Sequence, residues 1–297
     1  MSDGIVRNEA HGFHQLAAIP DPEYLKGYYE SKYVEPLRAG KTKEEVEKLI
    51  SETARNTLLE DLKWREASEF DDIEHYLRAL APGPRVLDVG AGAGEVVSSL
   101  AKRGFVATGI EPSAEAVAEA KAIGVQLVTS DLGSFWGDTG NRNSFDSVLL
   151  MNVLEHVREP EVTLRQVRDL LKVGGVLMVR SPNDFSEIQA AAVAKSHLPK
   201  WWVRVPDHIT YFSHKSLGSL LQSEGYEVLV ETSDFPIDWF LLMGQNYVGT
   251  PLLGAECHLR RRGFELALPG AVRRRIYEAL ASAQCGRNVI IYARRKA

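Results

Sequence analysis

Cysteine is scarce in this 297-residue chain: only Cys257 and Cys285 are present. The two could pair, but thiols in a chain without an export signal are expected to be reduced. The start, Met1-Ser2-Asp3-Gly4, lacks the basic patch and apolar stretch of a secretory signal. No apolar run approaches the roughly 18 residues of a membrane span. These absences point to a cytoplasmic protein with no membrane partner. Positive charge is also in deficit, 35 Lys and Arg against 40 Asp and Glu, which argues against a nucleic-acid partner. Internal repeats and low-complexity tracts are missing too. What remains is ordinary globular composition, 44% hydrophobic and 25% charged, in a chain long enough for a full core and an extra lobe.

The charge is unevenly spread. From His258 onward ten Lys and Arg face only Glu265 and Glu278, and two triplets, Arg260-Arg261-Arg262 and Arg273-Arg274-Arg275, dominate. Solvated helix faces explain such triplets most simply. The alternative is a field that attracts an anionic substrate or carrier.

Residues 1–80 read as helical. Asp21-Pro22 is a helix start, followed by Tyr24, Tyr28, Tyr29 and Tyr33 at helical spacing. Thr42-Lys43-Glu44-Glu45 has the form of a capping box and opens an amphipathic segment through Val46, Leu49, Ile50, Leu58 and Leu62. From Arg85 strands are expected at 85–90, 105–110, 125–129, 145–151 and 175–180, with helices near 94–103, 113–122 and 160–172. Ser213 caps a helix over 214–224, Gly225 closes it, and strands follow at 226–230 and 289–293. Strand and helix in alternation predict an open α/β fold with a parallel sheet. Two stretches, about 185–207 and 234–287, exceed a bare connection. Helices are expected in the second around Ile237–Tyr247 and Ala271–Ala283.

The densest signal is Asp88-Val89-Gly90-Ala91-Gly92-Ala93-Gly94, followed 23 positions after Asp88 by Glu111-Pro112. Glycines permit a sharp turn and let a ligand lie against bare backbone, and an acid closing the next strand is placed to accept from a ribose. The dinucleotide fingerprint G-x-G-x-x-G is not met, because position 95 is Glu. That carboxylate would also repel a pyrophosphate. S-adenosylmethionine (SAM) has no phosphate and carries an ammonium that Asp88 can help hold, so SAM is favoured over NAD.

These residues resemble the class I SAM-dependent methyltransferases, especially the subgroup of ubiquinone-biosynthesis O-methyltransferases. Asp88 to Gly94 matches the D-x-G-x-G-x-G turn. Glu111-Pro112-Ser113 matches the ribose acid and Ser130-Asp131-Leu132 the acid beside adenine. Phe145-Asp146 to Met151, then Asn152-Val153-Leu154-Glu155-His156-Val157, matches the fourth-strand segment with its L-E-H-V tail. Leu170-Leu171-Lys172-Val173-Gly174-Gly175 matches the L-K-P-G-G turn, with Val173 for proline. The resemblance covers about residues 70–232 and the last strand. It implies a Rossmann-like seven-stranded open sheet of order 3-2-1-4-5-7-6 whose last strand is antiparallel. An N-terminal helical lid (1–80) would precede the methyltransferase domain (81–297), and a helical insertion would precede the last strand. It further implies cofactor contacts from Asp88, Gly90, Ala91, Gly92, Gly94, Glu111, Pro112, Asp131, Leu132, Met151 and Asn152.

The acceptor side is less marked. His156, just beyond strand four, is a candidate general base; alternatively it contacts SAM or caps a short helix. His208, beside Asp207 in an H-x-x-x-F-[ST] segment, is the second catalytic candidate, or a loop-bracing residue. Ubiquinone-type relatives suggest a metal on E-x-x-E-H. Asn152 replaces the first acid here, so no metal is expected. The N-terminal tyrosines could cover the sulfonium, although aromatics at helical spacing more often pack a core. Trp201-Trp202 and Trp239-Phe240 could line a substrate pocket, pack the lobe, or form a dimer contact. The expected activity is methyl transfer to a small-molecule nucleophile, most plausibly oxygen. Nitrogen or carbon acceptors, a catalytically silent SAM-binding protein and a homodimer all stay open.

Overall fold

The computed structural model describes residues 4–29 and 52–297. Tyr33 and the capping-box segment from Thr42 through Ile50 lie outside the described residues, as do the side chains of Tyr29 and Leu58. The central sheet contains β3 (Arg85–Val89), β4 (Val106–Glu111), β5 (Val128–Thr129), β6 (Phe145–Met151), β7 (Leu171–Pro182), β9 (Tyr226–Thr232) and β10 (Asn288–Arg295). Its order is β5-β4-β3-β6-β7-β10-β9. The first five strands run parallel, and β10 is antiparallel to both β7 and β9. This is the order 3-2-1-4-5-7-6 expected from the family resemblance.

Consecutive apolar residues feed opposite faces of this sheet, as period-two geometry requires when both sides are covered. Leu87, Val148, Leu150, Leu177 and Val179 join one core with Leu164 and Val167 of α7 (Pro160–Leu170) and Leu217 and Leu220 of α9 (His214–Ser223). Val86, Leu149, Val176, Met178, Ile290 and Tyr292 join the other. There they meet Phe70, Ile73 and Leu77 of α3 (Glu69–Leu80) and Leu100 of α4 (Glu95–Lys102).

The N-terminal segment departs from the helical expectation. Residues 5–16 form a hairpin, β1 (Ile5–Arg7) and β2 (His14–Leu16), joined by β8 (Thr210–Tyr211) into a three-stranded sheet. Asn8 Oδ1 accepts from the amides of Ala10 and His11 at 3.0 Å, and Gly12 has φ 79°, so the turn is built locally. The strand that completes it arrives some two hundred residues later, which no local pattern reveals. Beyond it, α1 (Pro22–Tyr29) buries Leu25 while Tyr24 is exposed. Between β7 and β8 lies α8 (Glu187–Ser196), opened by a Ser186/Gln189 capping box. Trp202 is buried against Phe185, Tyr211 and Leu16, which makes it lobe packing.

The insertion holds α10 (Trp239–Leu242), α11 (Pro251–Ala267) and α12 (Gly270–Ser282). The helix α11 was not expected, because its buried face is polar: Cys257, Arg262 and Glu265 point inward. The arginine triplets divide: Arg260 and Arg275 stay at the surface, Arg261 pairs with Asp234 and Glu265, and the other three turn inward to acids of the N-terminal helices. Arg262 donates to Asp61 and Glu60 at 2.9 Å, tying α11 to α2 (Glu52–Ala67). Arg273, with 2% of its side chain exposed, and Arg274 share Asp71 and Asp72 on α3. Arg262, Arg273 and Arg274 are thus met by the acids of the N-terminal helices. Among the described residues no helix is long and apolar enough to cross a membrane.

Removing one partner of a buried ion pair leaves the other charge uncompensated. Arg273→Ala should therefore lower stability by about 3 kcal/mol. Arg294→Ala, which loses only an exposed 3.5 Å pair with Glu227, should shift it by less than about 0.5 kcal/mol. Chemical denaturation of both variants checks this, and equal losses would contradict the clamp.

Candidate active site

The site lies at the carboxyl ends of the parallel strands, where open α/β sheets bind ligands. Leaving β3, the chain turns through Gly90, Gly92 and Gly94, all with positive φ (72°, 53° and 75°). The turn is pinned at its base by amides of Gly90 and Ala91, both donating to the Ile110 carbonyl at 2.9 and 3.0 Å. The glycines do different things. A Cβ on Gly94 would sit 2.7 Å from Val125 Cγ1, and one on Gly90 3.0 Å from Val153 Cγ2, so both are needed for packing. A Cβ on Gly92 would meet no atom within 4 Å and would project into the open cleft.

Glu111, ending β4, closes this turn. Its Oε2 accepts from the Gly92 amide at 3.0 Å and its Oε1 from the Ser113 amide at 2.9 Å. Asp88 lies beneath, 3% exposed. Burial and the nearby Glu111 push its carboxyl up to about 7, against the opposing pull of Arg65. Arg65 reaches over from α2, bonding Glu95 at the head of α4 and Glu69 Oε2 at 3.0 Å. On the far side Asp131 caps α6 (Leu132–Gly137), accepting from the Ser134 amide and hydroxyl at 2.8 Å. Those bonds hold its carboxyl below the usual range. Met151 ends β6, and Asn152 follows in a left-handed conformation (φ 56°), its amide bound to the Arg180 carbonyl at 2.9 Å.

The two candidate histidines come together although 52 residues separate them. Their ring centroids are 5.0 Å apart, edge to face. His156 sits in a single 3₁₀ turn, Leu154–His156. Its Nδ1 lies 2.7 Å from the Asp207 carbonyl oxygen, which assigns the proton to Nδ1 and the lone pair to Nε2. His208 is buried, and its Nδ1 has no hydrogen-bond partner. Burial first, then His156 and Arg204, push it down to about 3, so it stays neutral at neutral pH. Glu155 is 2% exposed and accepts from Ser181 Oγ at 3.0 Å. Glu155, His156 and His208 bring one ligand atom each within 4.8 Å of one another. The expectation of no metal rested on two donors in one segment. The fold adds a third donor from a distant loop, and one carboxylate with two imidazoles is a donor set that suits a divalent cation.

Sequence reasoning missed the neighbouring wall. A cavity of about 340 Å³ is lined by Asn152, Arg65 and Glu69, by Arg180 on β7, by Asp234 after β9, and by Arg261 on α11, among others. Apart from Asn152, which the motif after strand four marks, only Arg180 carries a usable signal, its place at the carboxyl end of a parallel strand.

The family model described as "Methyltransferase domain" matches residues 62–231, more than half of the chain. The chain is 30% identical over 168 residues to the ubiquinone biosynthesis O-methyltransferase of Nitrobacter winogradskyi, a match covering 52% of this chain and 64% of that protein. It is likewise 30% identical over 148 residues to the enzyme of that name from Bradyrhizobium diazoefficiens, covering 44% and 56%. The matched region thus spans less than two thirds of these relatives. Among solved structures, magnesium protoporphyrin IX methyltransferase from Synechocystis PCC 6803, with bound S-adenosylhomocysteine, superposes with TM-score 0.51 at 14% identity, over 93% of this chain and 100% of that one. A SAM-dependent methyltransferase from Archaeoglobus fulgidus gives TM-score 0.51 at 16% identity, over 76% and 92%. With the glycine turn, its acid and the strand order in place, the chain belongs to the class I, SAM-dependent methyltransferase family.

Proposed function

We propose that this protein moves the methyl group of SAM to an oxygen nucleophile on a small molecule. The observation that carries the reading is the Glu111 carboxylate held against the amides of Gly92 and Ser113, with the ionisable Asp88 below. This arrangement suits ribose hydroxyls at Glu111 and the methionine ammonium near Asp88. Pro112, Asp131 and Leu132 would flank the adenosine, and Met151 and Asn152 the sulfonium end. A basic groove for nucleic acid finds no support, since Arg261, Arg262, Arg273 and Arg274 are committed to acids.

The transfer is an in-line displacement. The acceptor oxygen attacks the methyl carbon, the carbon–sulfur bond breaks, and the sulfonium leaves as the neutral thioether. The donor arrives activated, so the protein chiefly aligns and desolvates. His156 takes the acceptor's proton at Nε2, while the Asp207 carbonyl holds Nδ1–H and steadies the imidazolium that forms. His208, kept neutral by burial, orients rather than exchanges protons. Were a cation held by Glu155, His156 and His208, the Nε2 lone pair would be committed to it, and the ion would supply Lewis acidity toward the acceptor oxygen in place of the base.

Calorimetric titration with SAM, S-adenosylhomocysteine and NAD tests the reading, and binding of NAD alone would overturn it. Three variants resolve its parts. Gly92→Val, with its side chain in the cleft, should lose SAM binding while folding with a cost of about 2 kcal/mol from the left-handed backbone. Gly94→Val should instead destabilise the fold through Val125. Because SAM is cationic, binding favours ionised Asp88, so affinity should fall as pH drops below 7, approaching tenfold per unit. Asp88→Asn should flatten that profile, and an unchanged slope would remove Asp88 from the site. His156→Ala should reduce kcat by roughly 10²–10⁴ with SAM affinity kept.

A further inference from the structure

The methyl-transfer reading leaves the acceptor's chemistry open, and the cavity beside Asn152 narrows it. Its wall is ionic and balanced. Arg65, Arg180, Arg261 and Arg273 stand against Glu69, Asp72, Asp234 and Glu265. Most of these groups are saturated by one another. Glu265 takes the Trp64 indole N–H and the Tyr277 hydroxyl, both at 2.5 Å. Asp234 accepts from the Asn288 amide at 2.8 Å, the Asn288 side chain at 2.6 Å and Arg261 at 3.1 Å. Arg273 and Asp72 hold each other.

Two valences are left over. The Arg180 guanidinium comes no nearer than 3.5 Å to Glu69 Oε1 and 3.8 Å to Asp234 Oδ2, outside hydrogen-bond range. Glu69 Oε1 is buried without a hydrogen-bond partner, whereas Arg261 Nε faces Glu265 Oε1 at 3.4 Å. One carboxylate oxygen and one guanidinium edge therefore await polar atoms. An aromatic or isoprenoid guest would strip water from these charges and return nothing. A simple anion would answer Arg180 but leave Glu69 facing it with like charge. A guest satisfies both only if it pairs an anionic oxygen with a proton donor a few ångströms away, because Glu69 Oε1 and the Arg180 guanidinium are themselves 3.5 Å apart.

We infer that the methyl acceptor is a small carboxylic acid with an ammonium or hydroxyl on the adjacent carbon, its carboxylate on Arg180 and its donor on Glu69. This rests on the methyl-transfer reading and gives it a substrate class. Asn152, which shares the cavity wall, joins this subsite to the turn that follows β6.

The test holds a phenol constant and varies the head group. The full chain, saturated with S-adenosylhomocysteine, is titrated by calorimetry with L-tyrosine, 4-hydroxyphenyllactate, tyramine, tyrosine methyl ester and catechol. The amino acid, the hydroxy acid or both should bind, which identifies the donor. Tyramine, the ester and catechol should bind at least about tenfold more weakly. Arg180→Met should weaken the acids about 100-fold while S-adenosylhomocysteine affinity changes less than twofold. Glu69→Gln should penalise the amino acid more than the hydroxy acid. Equal binding of catechol or the ester, an unaffected Arg180→Met, or no binding of either acid up to about 10 mM would overturn the inference. Failure of S-adenosylhomocysteine itself to bind would instead overturn the methyltransferase reading.

Discussion

The ion-pair lattice between the N-terminal helices and the C-terminal insertion is what the docking of that insertion depends on. Arg262 reaches Glu60 and Asp61, and Arg273 and Arg274 reach Asp71 and Asp72. About two hundred residues separate the partners. Neither segment belongs to the parallel sheet, yet both contribute to the wall of the cavity beside Asn152. Without the lattice, α2 and α11 would have few apolar contacts to hold them there, since Cys257 is the one apolar residue among the fully buried positions of α11. Of the lattice, Asp72 and Arg273 also line the cavity beside Asn152.

The cofactor side rests on a different constraint, backbone geometry. Gly90 and Gly94 are fixed by what lies behind them, Val153 and the Val125–Leu127 stretch, and Gly92 by what lies in front. Glu111 then joins the turn to the start of the next helix by accepting two amides. Burial, and then the same carboxylate, raise the proton affinity of Asp88, so the two acids differ: Glu111 is committed to backbone amides, while Asp88 lies buried beneath them.

This half was legible in the sequence because its information is local. Three glycines, two acids and their strands lie within Val86 to Glu111, and Ser213 announces its helix by a cap that the structure contains. The illegible parts depend on partners far along the chain. The 5–16 hairpin needs β8. His156 meets His208 only once the loop through Asp207 folds back. In α11 the exposed side carries Leu252, Leu259 and Leu266 at seven-residue spacing, while Arg262 and Glu265 are buried. Hydrophobic periodicity there points to the wrong face. Arg262, Arg273 and Arg274 are illegible for the same reason, because their counter-charges lie at 60–72.

An apolar interface would hold the insertion at least as well, since desolvating ion pairs often costs more than their attraction returns. The lattice therefore calls for an explanation beyond stability. An apolar seam between α2 and α11 would line the cavity with hydrocarbon and suit flat, greasy guests. The ionic seam does the opposite. Asp72 and Arg273 carry it into the cavity wall, where, with Arg65, Arg261, Asp234 and Glu265, they set charges that are largely satisfied among themselves, Glu69 and Arg180 excepted. Packing of the insertion and polarity of the cavity thus meet in Asp72 and Arg273, and a change that greased that pair would alter both together.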